Sequence, residues 1–232
     1  MTPMRIFAAL LAMVATLVTL PCAAAPFSVR LGAEKIVLDT PPGFSDTGDL
    51  ASPRLQDLAA TLTSASNRIL LFALSDSDFR KFTQGDQLDW NRYMLAVTPK
   101  GLENVRVTPE QFSRFVRDSV RGLGNPAKPA DVIRFLEKEP EGKVHLLEEL
   151  RVEPAVVSVL QASHLPPVPG ETFWQAGKPQ YLFYTTTMFL VRGRALQISV
   201  YLIVVGQGQQ PDLDWLKATT LRWEEEIRRL NK

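Results

Sequence analysis

Histidines, thiols, activated hydroxyls and clustered carboxylates are the side chains that most often carry chemistry, and this sequence holds few of them. Its two histidines, His145 and His164, stand nineteen positions apart. A metal site or a catalytic triad built on them needs carboxylates or a serine at set spacings. No local motif supplies these: HExxH, GxSxG, SxxK, a Walker loop and GxGxxG are all missing from the sequence. Each histidine therefore reads as a surface or helix-end side chain. Ser75-Asp76-Ser77-Asp78 opens like a calcium loop, because alternating oxygens are what Ca²⁺ binds. Arg80 then occupies the place of a third oxygen ligand, and neither a glycine turn nor a terminal Glu follows. Asp76 or Ser77 is expected to cap a short helix over Asp78–Phe82 instead. No catalytic residue, metal or cofactor is expected.

The lone cysteine, Cys22, belongs to a segment with the parts of an export signal. Arg5 gives a short positive start, Ile6–Leu20 is an uncharged apolar stretch, and Pro21-Cys22-Ala23-Ala24-Ala25 is a small-residue exit. At ~1.5 Å per residue that stretch reaches about 22 Å as a helix, short of a ~30 Å hydrocarbon core. Cleavage is expected after Ala24, or after Ala25, leaving residues 25–232 as a single domain without a thiol. A disulfide, a thiolate nucleophile and a cysteine-based zinc site are then excluded. The expected location is outside the cytosol, in the periplasm of a Gram-negative bacterium, with membrane contact only through the N-terminal segment before cleavage. Lys and Arg number 26 against 25 Asp and Glu. With Arg5 in the leader the remainder is balanced, so nothing drives binding to a phosphate backbone and no nucleic-acid partner is expected.

The elements that would position any site follow from periodicity. Phe27–Leu31 and Glu34–Asp39 read as short strands in a tight hairpin, ended by Pro41-Pro42-Gly43. Ser52 with Pro53 starts a helix carrying Leu55, Leu58, Ala59 and Leu62 on one face. Arg68–Ser75 and Arg92–Thr98 are strands. Thr108-Pro109-Glu110-Gln111 is a capping box opening a helix whose buried stripe is Phe112, Phe115, Val116 and Val120. Arg114, Arg117 and Arg121 on its other side read as a solvated face. A further helix covers Pro129–Glu139 with Val132, Ile133 and Leu136 inward, Lys143–Arg151 is ambiguous, and Ala155–Gln161 is a strand.

His164–Pro179 is a Pro-rich connection that cannot join a central strand. Tyr181–Val191 and Ala195–Val205 form the longest hairpin, turning through Arg192-Gly193-Arg194. On its second strand Leu196, Ile198, Val200, Leu202 and Val204 share the core face, and the other face is mixed; the face that Tyr181–Val191 contributes stays open. A C-terminal amphipathic helix displays Leu216, Thr220, Trp223, Ile227 and Leu230, with Glu224–Arg228 and Glu225–Arg229 as supporting pairs. The fold class is α+β: an antiparallel sheet of about five to seven strands packed by three or four helices. The four tryptophans are expected to seal core edges. A sharper candidate is a ligand pocket between helix and sheet, lined by Trp174 from the Pro-rich connection and by Tyr181 or Tyr184.

An exported chain with a Pro41-Pro42-Gly43-Phe44 turn after its opening strands, closing on the Tyr181–Val205 hairpin and an amphipathic helix, resembles the PsbP/DcrB-like group. It also resembles uncharacterised exported proteins of Gram-negative bacteria. The resemblance covers the two ends of the chain and brings no functional motif. It implies a non-catalytic accessory or binding protein of the envelope, whose partner would be a protein or a small apolar ligand. The alternatives are a periplasmic hydrolase whose site assembles only in three dimensions, and an envelope protein anchored by a retained N-terminal helix.

Overall fold

The computed structural model describes residues 25–166, 178–206 and 210–232. In chain order the elements are β1 (Phe27–Leu31), β2 (Glu34–Leu38), β3 (Phe44–Asp46), α1 (Pro53–Thr61), β4 (Asn67–Ser75) and α2 (Asp76–Gln84). After these come β5 (Arg92–Pro99), α3 (Pro109–Arg121), α4 (Val132–Leu136), β6 (His145–Glu153), β7 (Val156–Leu165), β8 (Gln180–Val191), β9 (Arg194–Val205) and α5 (Leu213–Leu230). Among the described residues, strands β1 and β2 pair only with each other, as the expected hairpin. The other seven make one antiparallel sheet in the order β3-β4-β5-β9-β8-β7-β6. With five α-helices among the described residues, the architecture is α+β.

The hairpin at the sheet centre is fixed by its turn. Arg192 and Gly193 form a two-residue connection with φ of +50° and +75°, the sign that matches the right-handed twist of the flanking strands. A side chain at Gly193 would also meet Arg106, whose Cγ lies 2.9 Å from the Cβ position. The resulting register pairs Val191 with Arg194 and resolves the open face of β8: Tyr181, Phe183, Thr185, Thr187, Phe189 and Val191 join the β9 core residues. Over them α5 lays Leu216, Trp223 and Ile227, flanked by Val132, Ile133 and Leu136 of α4 and by the β1–β2 hairpin. Two threonines in this layer pair their hydroxyls, Thr185 with Thr220 at 2.6 Å and Thr187 with Ser158 at 2.7 Å. Burying those oxygens is therefore tolerated.

The mixed face of the hairpin is covered as well, which the sequence pattern does not announce. Leu55 and Ala59 of α1 pack on Phe72, Leu74, Tyr93, Leu95 and Val97. Further across the same face, Phe112 and Val116 of α3 pack on Leu146, Val157 and Val159. The sheet is thus the middle layer of three.

Several local expectations need correction. Phe115 is 57% exposed rather than part of the α3 stripe, since it overhangs the space beside the helix instead of the sheet. Ser52 occupies the N-cap of α1 without a side-chain cap bond. The cap of α2 is Ser75, whose hydroxyl accepts the Asp78 N–H at 3.2 Å, not Asp76 or Ser77. Lys143–Arg151 resolves largely into β6. Of the two α5 pairs only Glu224–Arg228 forms, at 3.1 Å; Glu225 is taken by Arg151 of β6 at 2.9 Å, and Arg229 turns to Glu226. Glu224 itself is 1% exposed, so its carboxylate needs both Arg228 and the 2.5 Å contact from Arg151.

Trp223 ties the two sheets together: its ring is buried under the hairpin and its indole N–H donates to the Asp39 carbonyl at 2.7 Å. Trp223→Ala should cost about 3–5 kcal/mol of unfolding free energy, read from urea denaturation. Trp223→Phe should recover most of that and still lose the hydrogen bond, about 1 kcal/mol.

Candidate ligand-binding groove

A wide opening lies on the face shared by α1 and α3, where neither helix reaches the centre of the sheet. It encloses about 830 Å³, within the range of roughly 300–1,000 Å³ typical of ligand sites. One wall is α3, presenting Gln111, Phe112, Phe115, Ser119 and Val120. The opposite wall is the segment after β5, with Leu102, Val105 and Val107, and it is anchored where Val107 N–H donates to the Gly193 carbonyl at 2.8 Å. The floor is the sheet itself: Val159 and Gln161 of β7, Thr186 and Met188 of β8, Ala195 and Gln197 of β9.

Sequence places α3 firmly as a wall. Thr108 Oγ1 accepts the Gln111 N–H at 3.3 Å and Gln111 Oε1 accepts the Thr108 N–H at 3.0 Å, the reciprocal cap expected from the sequence. Arg117 and Arg121 stay on the outer surface, Arg121 pairing with Asp118 at 3.8 Å. The chemistry inside the groove is uniform: the described lining contains no Asp, Glu, Lys, Arg or His, and its polar members are Ser, Thr, Asn and Gln. Phe115 at 57% and Val105 at 47% exposure stand at its rim.

Beside the floor runs a row of aromatic rings. Tyr184 of β8 stacks on Tyr201 of β9 at 5.6 Å, and Tyr201 stacks on Tyr93 of β5 at 4.5 Å. Burial pushes the Tyr184 phenol up to about 12, with the neighbouring Tyr201 adding to it. The same burial raises Tyr93 and Tyr201.

The two tyrosines offered as alternatives for the pocket are separated by the sheet. Tyr181 and Tyr184 are an odd number of positions apart on one strand, so they point to opposite faces. Tyr181 is buried in the α5 layer with its hydroxyl 3.2 Å from Glu137 Oε1, and burial followed by that carboxylate raises it to about 12. Tyr184 adjoins the groove through Gln161, its partner across β7–β8, and Thr186, two residues on. Trp174, in the Pro-rich connection, lies outside the described residues. Gln161, Thr186 and Gln197 were not singled out by sequence. Each sits at an unremarkable strand position, and only the register of three strands brings them together.

Both histidines pack against aromatic rings, His145 nearly buried and His164 half-buried. His145 has 10% of its side chain exposed, packs edge-on against Phe135 and holds Nε2 3.3 Å from Glu139 Oε2 without the alignment of a hydrogen bond. Glu139 also accepts from Lys143 at 2.8 Å, which holds its carboxyl below the usual range. His164 stacks on Tyr181 at 5.1 Å. Neither lines the groove, and no described cluster of His, Asp or Glu could hold a metal ion. A second cavity, about 760 Å³ around Ser75, Asp78, Asp89 and Arg92, is polar, but its charges engage one another. Asp78 accepts the Asp89 N–H at 2.8 Å, Asp89 pairs with Lys81 at 2.7 Å, and Arg92 lies 3.9 Å over Trp215.

No protein-family model matches the chain, and no curated protein matches it. Among solved structures it is similar to the Saccharomyces cerevisiae Ran-binding protein Mog1p, with 13% identity and a TM-score of 0.39 over 89% of this chain and 94% of that one. A point mutant of protein Mog1 aligns with 12% identity and a TM-score of 0.39, over 88% of this chain and 94% of that one. At these scores neither likeness bears on the function.

All four tyrosines of the chain are raised above their ordinary value of 10.0. The unfolded chain therefore loses phenolic protons first, and stability should be intact below pH 10 and fall as pH rises from 10 toward about 12. Phenolate absorbance at high pH should appear only together with loss of the folded circular-dichroism signal. Reversible ionisation of the folded protein near pH 10 would contradict the burial described.

Proposed function

We propose that this chain is an exported, non-catalytic binding protein of the bacterial envelope, of the kind the PsbP/DcrB-like resemblance implies, and that its ligand enters the groove between α3 and the sheet. The observation that carries the reading is the groove's chemistry: an open 830 Å³ space, mostly apolar, with neutral polar groups on the floor and two exposed apolar side chains at the rim. A soluble protein gains nothing in stability by leaving such surface open, whereas a binding site requires it. Export to the periplasm is supported by the composition of residues 1–25, a positive start, a short apolar stretch and a small-residue exit. Among the described residues no helix is long and apolar enough to cross a membrane.

An uncharged apolar fluorophore such as N-phenyl-1-naphthylamine should bind one-to-one and brighten. Ser119→Trp places a large ring from the exposed face of α3 into the groove, and should abolish that signal while leaving the unfolding free energy within about 0.5 kcal/mol of the parent. Equal brightening by the Ser119→Trp variant would remove the groove from the account.

A further inference from the structure

Resting on the groove as the binding site, we propose that its occupant is an uncharged, apolar stretch of another polypeptide held in extended conformation. The argument is the placement of the floor's polar groups. Gln161, Thr186 and Gln197 lie on three adjacent strands, β7, β8 and β9. Gln161 is paired with Tyr184, Thr186 is two residues on and paired with Ser199, and Gln197 is two residues beyond that. Each step moves one strand across and two residues along, so the three form a diagonal over the sheet. With strands ~4.8 Å apart and ~3.3 Å per residue, each step is about 8 Å and the whole diagonal about 16 Å.

Gln161 is only 6% exposed and still lines the groove, and no hydrogen bond joins its carboxamide, or that of Gln197, to another described residue. A carboxamide that opens on the groove without a protein partner has its hydrogen-bonding capacity left for an occupant. Its chemistry is that of a peptide group, one N–H side and one C=O side, so a peptide group is its natural complement. Two carboxamides about 16 Å apart cannot both reach the single polar end of a fatty acid or monoacylglycerol. About five extended residues span that distance and present amides throughout. The uncharged lining sets the side chains: a charged residue in the bound segment would be desolvated opposite no counter-ion. The exposed Phe115 and Val105 at the rim extend the apolar contact beyond the floor.

The test measures binding of fluorescein-labelled, end-capped heptapeptides rich in Val, Ile and Leu, of the same peptides with a central Asp or Lys, and of palmitate and monoolein as competitors. The uncharged peptides should bind, and the central charge should weaken them at least tenfold. Gln161→Leu and Gln197→Leu should each weaken peptide binding about tenfold without lowering stability, since each removes an amide that no described residue bonds and leaves an apolar group of similar size. If palmitate or monoolein binds more tightly than any peptide, or if both Leu variants bind peptide as well as the parent, the peptide proposal fails while the groove stands. If no probe binds, and the naphthylamine brightens equally with Ser119→Trp, the groove reading itself is overturned.

Discussion

The register of the β8–β9 hairpin is the constraint on which the rest of the molecule depends. Side chains on a strand alternate, so a slip of one residue would exchange the two faces of the central ribbon entirely. A turn of two residues with positive φ leaves no room for that slip. It commits Phe183, Thr185, Thr187 and Phe189 to the layer under α5, with their partners from β9. It commits Tyr184, Thr186, Met188, Gln197 and Tyr201 to the other face. The first set is a core. The second set cannot make a complete one, because tyrosine and glutamine side chains bring polar atoms that packed helices would leave unsatisfied.

That incompleteness explains where the open space lies. On the second face α1 gathers the apolar residues of β4 and β5, and α3 gathers those of β6 and β7. Between them the centre of the sheet has hydroxyls and carboxamides at alternate positions, and neither helix covers it. The stacked tyrosines bound this region on one side, burying ring area while keeping their hydroxyls protonated. Rigid walls follow from local chemistry: the reciprocal Thr108–Gln111 cap fixes the start of α3, and the Val107–Gly193 bond fixes the opposite wall to the same turn that sets the register. A site whose floor and wall share one anchor is preorganised.

Much of this architecture was legible from sequence. The hairpin, the capped α3 helix, the C-terminal helix and the strands at Arg68 and Arg92 follow from patterns of two or three to four residues, and each formed. The third layer was not legible, because a mixed strand face looks the same whether solvent or a sparse helix covers it. Phe115 shows the limit at one residue: helical periodicity puts it on the apolar side of α3, and only the sheet's edge decides that it overhangs a groove. The candidate site was legible only in outline. A space between helix and sheet was expected, lined by Tyr181 or Tyr184, and strand alternation leaves only Tyr184 on the face where the groove lies. Gln161, Thr186 and Gln197 belong to three strands, and no sequence signal relates them without the pairing register. The histidines were expected at the surface or at helix ends and are instead packed against Phe135 and Tyr181, since the packing of an imidazole against a distant aromatic ring leaves no trace in local composition.

The central claim is that the space between α3 and the sheet is a binding site for uncharged apolar polypeptide. Side-chain amide and methyl resonances of the isotopically labelled protein, followed while an end-capped Val- and Leu-rich heptapeptide is added, test it most directly. The account predicts that the Gln161 and Gln197 carboxamides and the Met188 methyl shift together and saturate at one equivalent, while the Asn231 carboxamide, bonded to Val37 at the far side of the sheet, stays in place. Saturable shifts confined to residues outside the groove, with the two glutamines unmoved, would contradict it.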